Sequence, residues 1–184
     1  MLESSLKRRI GDYIRYSDVN YEIMKADHES VLKLPSNDKL GQVFHSFVQN
    51  TLTGKKFSLS TWVKPLEGKM IKAVEILKEE LRDSQVEVCN TLTEIIHGVR
   101  VTGQADLCSD DYVIELKSKE EMKKEDLMQA LIYTFLYRKD VILLMFNIYT
   151  ADYCLVKVFH DDGNSALLMD AIKQMESDRN CGRM

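Results

Sequence analysis

The clearest chemistry in this sequence sits in three residues. Asp106 is followed, across eight residues, by Glu115-Leu116-Lys117, which sets a carboxylate and an ammonium two positions apart. Two positions apart on a strand means the same face. Adjacent strands lie about 4.8 Å apart, so Asp106 at the end of one strand and Glu115 inside the next can converge on one ion. Leu116 faces the other way, into a core. Two acids and a lysine on one face of an otherwise apolar strand are costly to desolvate without a function. A hard divalent cation, Mg²⁺ or Mn²⁺, supplies one, because oxygen ligands hold it while it polarises a phosphate and activates water. A lysine beside it can orient or deprotonate that water. The plainer alternative is a solvated Glu–Lys pair on a strand edge beside a surface Asp.

Two further groups bear on that choice. Gly41-Gln42-Val43-Phe44-His45 places His45 one helical turn after a glycine, at the border of the face made by Phe44 and Val48. Gln129 and Tyr133 are four apart and so share a helix face, and their helix directly follows the lysine strand. Alone, the first reads as a packed histidine and the second as amphipathic decoration. Lys55, Lys56, Lys64, Lys69, Lys119, Lys123 and Lys124 flank these segments and either guide an anionic substrate or form a solvated surface. Phe57 and Trp62 either stack on bases of a single strand or pin their loop to the core.

The elements that must position these residues follow from hydrophobic period. Residues 1–36 read as a charged helical extension, with Leu6, Ile10 and Ile14 at helical spacing. Leu40, Val43, Phe44, Phe47 and Val48 predict a helix from Lys39 to Leu52. Met70, Ile71, Val74, Leu77 and Leu81 predict another from Gly68 to Ser84. Alternation then predicts strands over Gln85–Leu92, Val99–Leu107 and Tyr112–Lys117. The third is the most apolar and so the most central, and it follows a turn at Ser109-Asp110-Asp111. A helix over Lys123–Arg138, strands over Val141–Tyr149 and Tyr153–Phe159, and a helix over Ser165–Asp178 complete the order. The whole is one α/β (α+β) domain spanning 1–184: a central mixed sheet flanked by helices, a helical extension at 1–36, a core at 38–160 and a C-terminal helix and tail at 161–184.

Composition narrows the partners. The chain has 184 residues and a net charge of −4, which argues against a bulk cationic coat for nucleic acid but leaves room for a local basic groove. The longest apolar run, Val141–Phe146, is far short of a membrane span, and the first residues do not read as a secretory signal. Cys89, Cys108, Cys154 and Cys181 lack the close spacing of a zinc or iron–sulfur site. Their plain reading is four free thiols in a reducing, intracellular compartment. No Gly-rich phosphate loop is present.

Taken together, Gly41 to His45, Gly103-Gln104-Ala105-Asp106, Glu115-Leu116-Lys117 and Gln129 to Tyr133 resemble the PD-(D/E)XK nuclease superfamily, in its RecB-like branch. That branch carries G-x3-H, G-x-x-D, E-x-K and Q-x3-Y in this order, on an αβββαβ core. The resemblance covers residues 38 to about 160, and Ala105 stands where the superfamily name has proline. It implies a metal-dependent nuclease that hydrolyses phosphodiester bonds and leaves a 5′-phosphate, on DNA ahead of RNA and as an end-processing exonuclease ahead of an endonuclease. It implies one or two Mg²⁺ or Mn²⁺ ions held by His45, Asp106, Glu115 and the Leu116 carbonyl, with Lys117 positioning or activating water. Gln129 and Tyr133 would hold the phosphate backbone or orient the site, Ser118 would touch a phosphate, and Glu87 falls where relatives often have an acid. No iron–sulfur cluster is expected, and any motor would belong to a larger protein or complex. Two alternatives stay open: an RNA-cutting endonuclease of the viral cap-snatching type, and a non-catalytic nuclease-fold subunit that binds nucleic acid.

Overall fold

The computed structural model describes residues 4–27, 38–61, 63–82, 84–147 and 149–181. In chain order the elements are α1 (Ser4–Gly11), β1 (Tyr21–Asp27), α2 (Asp38–Leu52), α3 (Glu67–Leu81), β2 (Glu87–Val88), β3 (Leu92–Ile96), β4 (Val99–Gly103), β5 (Leu107–Cys108), β6 (Tyr112–Ser118), α4 (Lys124–Tyr137), β7 (Asp140–Phe146), β8 (Tyr153–Val158) and α5 (Asp162–Cys181). The main sheet runs β1-β8-β7-β6-β5-β2. Only β6 and β7 are parallel, from Tyr112 opposite Asp140 to Ser118 opposite Phe146, and the remaining neighbours are antiparallel. The expected α+β architecture, a mixed sheet flanked by helices, is therefore present.

Each face of the sheet buries its own core. Ile114 and Leu116 of β6 join Ile142, Leu144 and Phe146 of β7 against α2 and α3. The α2 stripe of Leu40, Phe44, Phe47 and Val48 is buried as its spacing requires. In α3 the buried stripe is Met70, Ala73, Val74, Leu77 and Leu81, and Ile71 turns outward. The alternate residues, Val113 of β6 and Val141 and Leu143 of β7, pack against α1, α4 and α5. Helix α4 is enclosed on nearly every side, with buried residues from Asp126 to Leu136. It crosses over between the parallel strands β6 and β7, as a parallel pair requires.

Four expectations change. The N-terminal segment is not helical throughout: α1 ends at Gly11, and Tyr21–Asp27 forms an edge strand on β8. Most of its side chains are half or fully exposed, so backbone pairing rather than an apolar period makes this strand. Residues 28–36 lie outside the described set. The strand expected over Gln85–Leu92 is only Glu87–Val88, and Leu92–Ile96 instead forms a separate hairpin with Val99–Gly103. The two-residue loop of that hairpin has positive φ at both His97 and Gly98, the geometry that matches strand twist. Finally, the cysteines are not all free thiols. Cys89 and Cys108 form a disulfide with Cα atoms 5.2 Å apart, across the narrow β2–β5 pairing. Cys154 and Cys181 are free. Among the described residues no helix is long and apolar enough to cross a membrane.

The disulfide is directly testable. Protein purified and denatured without reductant should take up alkylating reagent at Cys154 and Cys181 only, and at all four cysteines after reduction. Four labelled thiols before reduction would remove the clamp between β2 and β5.

Candidate active site

A polar cleft of about 940 Å³ opens where the C-terminal end of β6 meets α2, α4 and α1. His45, Asp106, Glu115, Lys117, Ser118 and Gln129 all border it, as does the backbone at Leu116. Four segments far apart in sequence are thus brought to one place. Open α/β sheets place ligands in the crevice beyond strand carboxyl ends for the same topological reason.

Strand β6 positions the central pair. Glu115 and Lys117 point to the α4 side, and Lys117 Nζ stands 2.6 Å from Glu115 Oε1. Gln129 locks the pair from α4: its Nε2 donates to Glu115 Oε1 at 2.7 Å, and its Oε1 accepts from Lys117 Nζ at 2.9 Å. Gln129 Nε2 also reaches the Tyr133 hydroxyl at 2.8 Å, and that hydroxyl donates to the Gln104 carbonyl at 2.8 Å. Spacing of four residues on α4 makes this relay possible. Tyr133 is fully buried, so of its two expected roles the geometry leaves the orienting one: it holds the backbone just before Asp106.

The strand expected over Val99–Leu107 is broken: β4 ends at Gly103, β5 begins at Leu107, and Asp106 sits between them rather than at a strand end, across the hairpin from β6. Its Oδ2 accepts the Leu116 N–H at 2.8 Å, so the carboxylate is pinned to the strand that carries Glu115 and Lys117. His45 approaches from α2, with Nδ1 3.8 Å from the same oxygen and about a third of its side chain exposed. The Leu116 side chain is buried in the opposite core, as the alternation requires. Gly41 makes this approach possible. A Cβ there would stand 3.2 Å from Ser118 Cβ, and Ser118 Oγ donates to the Gly41 carbonyl at 3.4 Å.

Electrostatics follow from burial. Glu115 is 6 % exposed, and its pKa is pushed up to about 7 by desolvation, opposed by Lys117 and reinforced by Asp106. Desolvation also lowers the His45 pKa, against the pull of Asp106 and with the push of Lys117. Burial moves the Tyr133 hydroxyl upward. Two acids and an imidazole line one cleft, and these are residue types that could hold a hard or borderline divalent cation. Among the described residues, no three His, Cys, Asp or Glu side chains already converge as a metal cluster. Glu115 is instead turned to Lys117.

The remaining expected contributors divide. Lys119 lines the cleft but is paired with the buried Asp126. Lys124 donates to the Gly11 carbonyl and ties α4 to α1. Lys55, Lys56, Lys64 and Lys69 do not line the cleft. Phe57 packs edge-on against Phe47 and pins its loop, and Trp62 lies outside the described residues. Glu87 borders a different groove with Cys108 and Lys139. Two participants have no sequence signal in the motifs. Lys7 of α1 reaches Gln129 Oε1 at 2.8 Å. The Tyr137 hydroxyl accepts the Ala105 N–H at 3.2 Å and donates to the Asn90 carbonyl at 2.6 Å. Neither a family model nor a curated protein sequence matches this chain.

The buried Glu115 predicts a signature in metal-free protein. Its folded pKa near 7 exceeds the ordinary 4.5. Below the ordinary value the group is neutral folded or unfolded and costs nothing. As pH rises toward 7 the unfolded chain releases the proton first, so the folded state loses a contribution on the order of a few kcal/mol. In EDTA, Glu115→Gln should therefore gain midpoint relative to wild type as pH rises from about 4.5 to about 7, and the gain should level off above that. Parallel midpoint curves for the two proteins would mean that Glu115 is not desolvated.

Proposed function

We propose that this chain is a metal-dependent nuclease of the PD-(D/E)XK type, cutting phosphodiester bonds in DNA. The observation that carries the reading is the convergence in one cleft of Asp106, Glu115, Lys117 and His45, with Lys117 and Glu115 locked together by Gln129. A charged strand edge without a function would leave Glu115 and Lys117 in water. Here their side chains are only 7 % and 16 % exposed, and an enclosed helix contributes an amide to hold them. The open, polar cleft suits an extended polyanion better than a small apolar ligand.

The division of labour follows from the contacts. His45, Asp106 and Glu115, with the Leu116 carbonyl, would hold one or two Mg²⁺ or Mn²⁺ ions. A bound cation there would neutralise phosphate charge and lower the pKa of a water. Lys117 would position the attacking water and offset charge that develops on the phosphate as the P–O bond to the leaving oxygen breaks. Gln129 would keep the Lys117 ammonium and the Glu115 carboxylate in register, and Tyr133 would fix the strand end bearing Asp106. Ser118, tied to Gly41 on the cleft wall, would touch a phosphate.

Digestion of end-labelled and circular single-stranded DNA and of RNA, with Mn²⁺, Mg²⁺ or EDTA, tests this. Wild type should cut DNA only with a divalent cation, and Lys117→Met should lose roughly a hundredfold or more. Preferential RNA cleavage would favour the cap-snatching alternative, and wild-type rates in Lys117→Met would sink the mechanism.

Asp106→Asn is a cleaner probe than Asp106→Ala, because asparagine can still accept the Leu116 N–H. Losing that acceptor altogether costs about 1–3 kcal/mol by itself. Millimolar Mn²⁺ should raise the wild-type midpoint by several degrees, as roughly 2.7 kcal/mol at a hundredfold excess over Kd implies. Asp106→Asn should lose most of that shift. A full shift in Asp106→Asn would take Asp106 out of the ligand set.

A further inference from the structure

We propose that Lys7, carried by α1, is a second ligand for the substrate phosphate, facing Lys117 across the Gln129 amide. This rests on the nuclease reading of the same cleft and adds the N-terminal helix to its working parts.

Two ammonium groups share one neutral partner in the cleft. The Lys7 and Lys117 ammonium groups donate to the same oxygen, Gln129 Oε1, at 2.8 and 2.9 Å. They therefore stand within the span of two hydrogen bonds of each other. A neutral amide cannot offset two cations. Glu115 is in contact with Lys117, and Asp126 with Lys119. Among the described residues no carboxylate stands in ion-pair contact with Lys7. Like charges held this close repel; burial first and Lys117 second disfavour the charged form of Lys7, and Glu115 and Asp126, neither in contact with it, offset this only in part. A phosphodiester carries one negative charge, and its oxygens gain more as attack proceeds. An anion of that kind is what two opposed ammonium groups on a cleft wall accommodate.

The position of Lys7 is fixed by packing rather than by chance. Leu6 and Ile10, on either side of it on α1, are buried in the core shared with α4. Lys124 holds the end of α1 through the Gly11 carbonyl, and a Cβ at Gly11 would meet Met128 Cγ at 3.6 Å. Lys7 lines the cleft from the α1 side, whereas His45 lines it from α2. A phosphate in the cleft would lie between Lys7 on the α1 side and His45 on the α2 side, with the Lys117–Glu115 pair between them. The competing account is that Lys7 only tethers α1 to Gln129.

The test compares Lys7→Met, Lys7→Arg and Lys173→Met, the last an exposed lysine on α5 away from the cleft. The probe is a fluorescent, 5′-phosphorylated single-stranded DNA, with binding read by anisotropy in EDTA across a salt series and cleavage read separately with Mn²⁺. Loss of one phosphate contact should lower the slope of log K against log salt by about 0.7. Lys7→Met is expected to show that drop, with about a tenfold loss in kcat/KM and little change in midpoint. Lys7→Arg should keep the wild-type slope, and Lys173→Met should match wild type throughout. An unchanged slope and rate in Lys7→Met, with wild type active, overturns the inference alone. So does a midpoint loss in Lys7→Met that accounts for its activity while the slope stays put. A wild type that neither binds nor cuts the DNA overturns the nuclease reading, and the inference falls with it.

Discussion

The burial of the Glu115 carboxylate is the constraint around which the rest of the site is arranged. A charge taken out of water must find partners or lose its charge. Glu115 sits on the α4-facing side of β6, among residues that otherwise form a core. Lys117 and Gln129 compensate it, Tyr133 compensates Gln129, and the Gln104 carbonyl compensates Tyr133. That chain of obligations ties β6, α4 and the approach to β5 into one unit. It also explains why α4 carries polar groups at Gln129 and Tyr133 while being enclosed on nearly every side. Compensation is incomplete, since burial still pushes the pKa of Glu115 up to about 7.

Asp106 is bound to this unit by a single backbone contact, the Leu116 N–H. The amide belongs to the residue between Glu115 and Lys117, so any shift of the acid relative to the strand breaks a hydrogen bond. Tyr137 secures the same stretch from the other side through Ala105 and Asn90. The disulfide at Cys89 and Cys108 closes the outer edge two residues beyond Asp106. β5 and β2 are only two residues long each, and a ladder so short supplies little rigidity of its own. Side-chain anchors and a covalent link substitute for it.

What the sequence made legible was whatever rests on periodicity or local spacing. The two helices before the sheet, the β6–α4–β7–β8 order and the hairpin at Ser109 all follow from apolar period and turn chemistry, and their observed limits differ from the expected ones by a residue or a few. Gln129 and Tyr133 share a face because α4 is a helix, and Glu115 and Lys117 because β6 is a strand. The edge strand β1 was not legible, because its side chains are largely solvated and an alternating pattern has nothing to bury. The β3–β4 hairpin did carry a signal, a glycine in a two-residue loop at His97-Gly98 between β-branched runs, which fell in the gap left between the strands expected over Gln85–Leu92 and Val99–Leu107. The cysteine pair was not legible, because a separation of 19 residues says nothing about spatial approach until β2 and β5 are known to be neighbours. Lys7 is the extreme case. It lies 122 residues from Gln129, and only the docking of α1 on α4 brings the two together.

Such long-range participants change how the domain must be understood. One stretch of chain, β6 through α4, supplies Glu115, Lys117, Gln129 and Tyr133. By itself it would bury an acid and a lysine beside an amide with no cleft around them. α2 then brings His45 across the end of β6 because Gly41 allows a close approach to Ser118, and α1 brings Lys7 because Leu6 and Ile10 leave it no other place on the surface of α4. These helices pack on opposite faces of the sheet, so the cleft exists only where both layers extend past the strand ends. The N-terminal segment, which composition alone would class as an appendage, thus contributes an edge strand to the sheet and a charged group to the cleft.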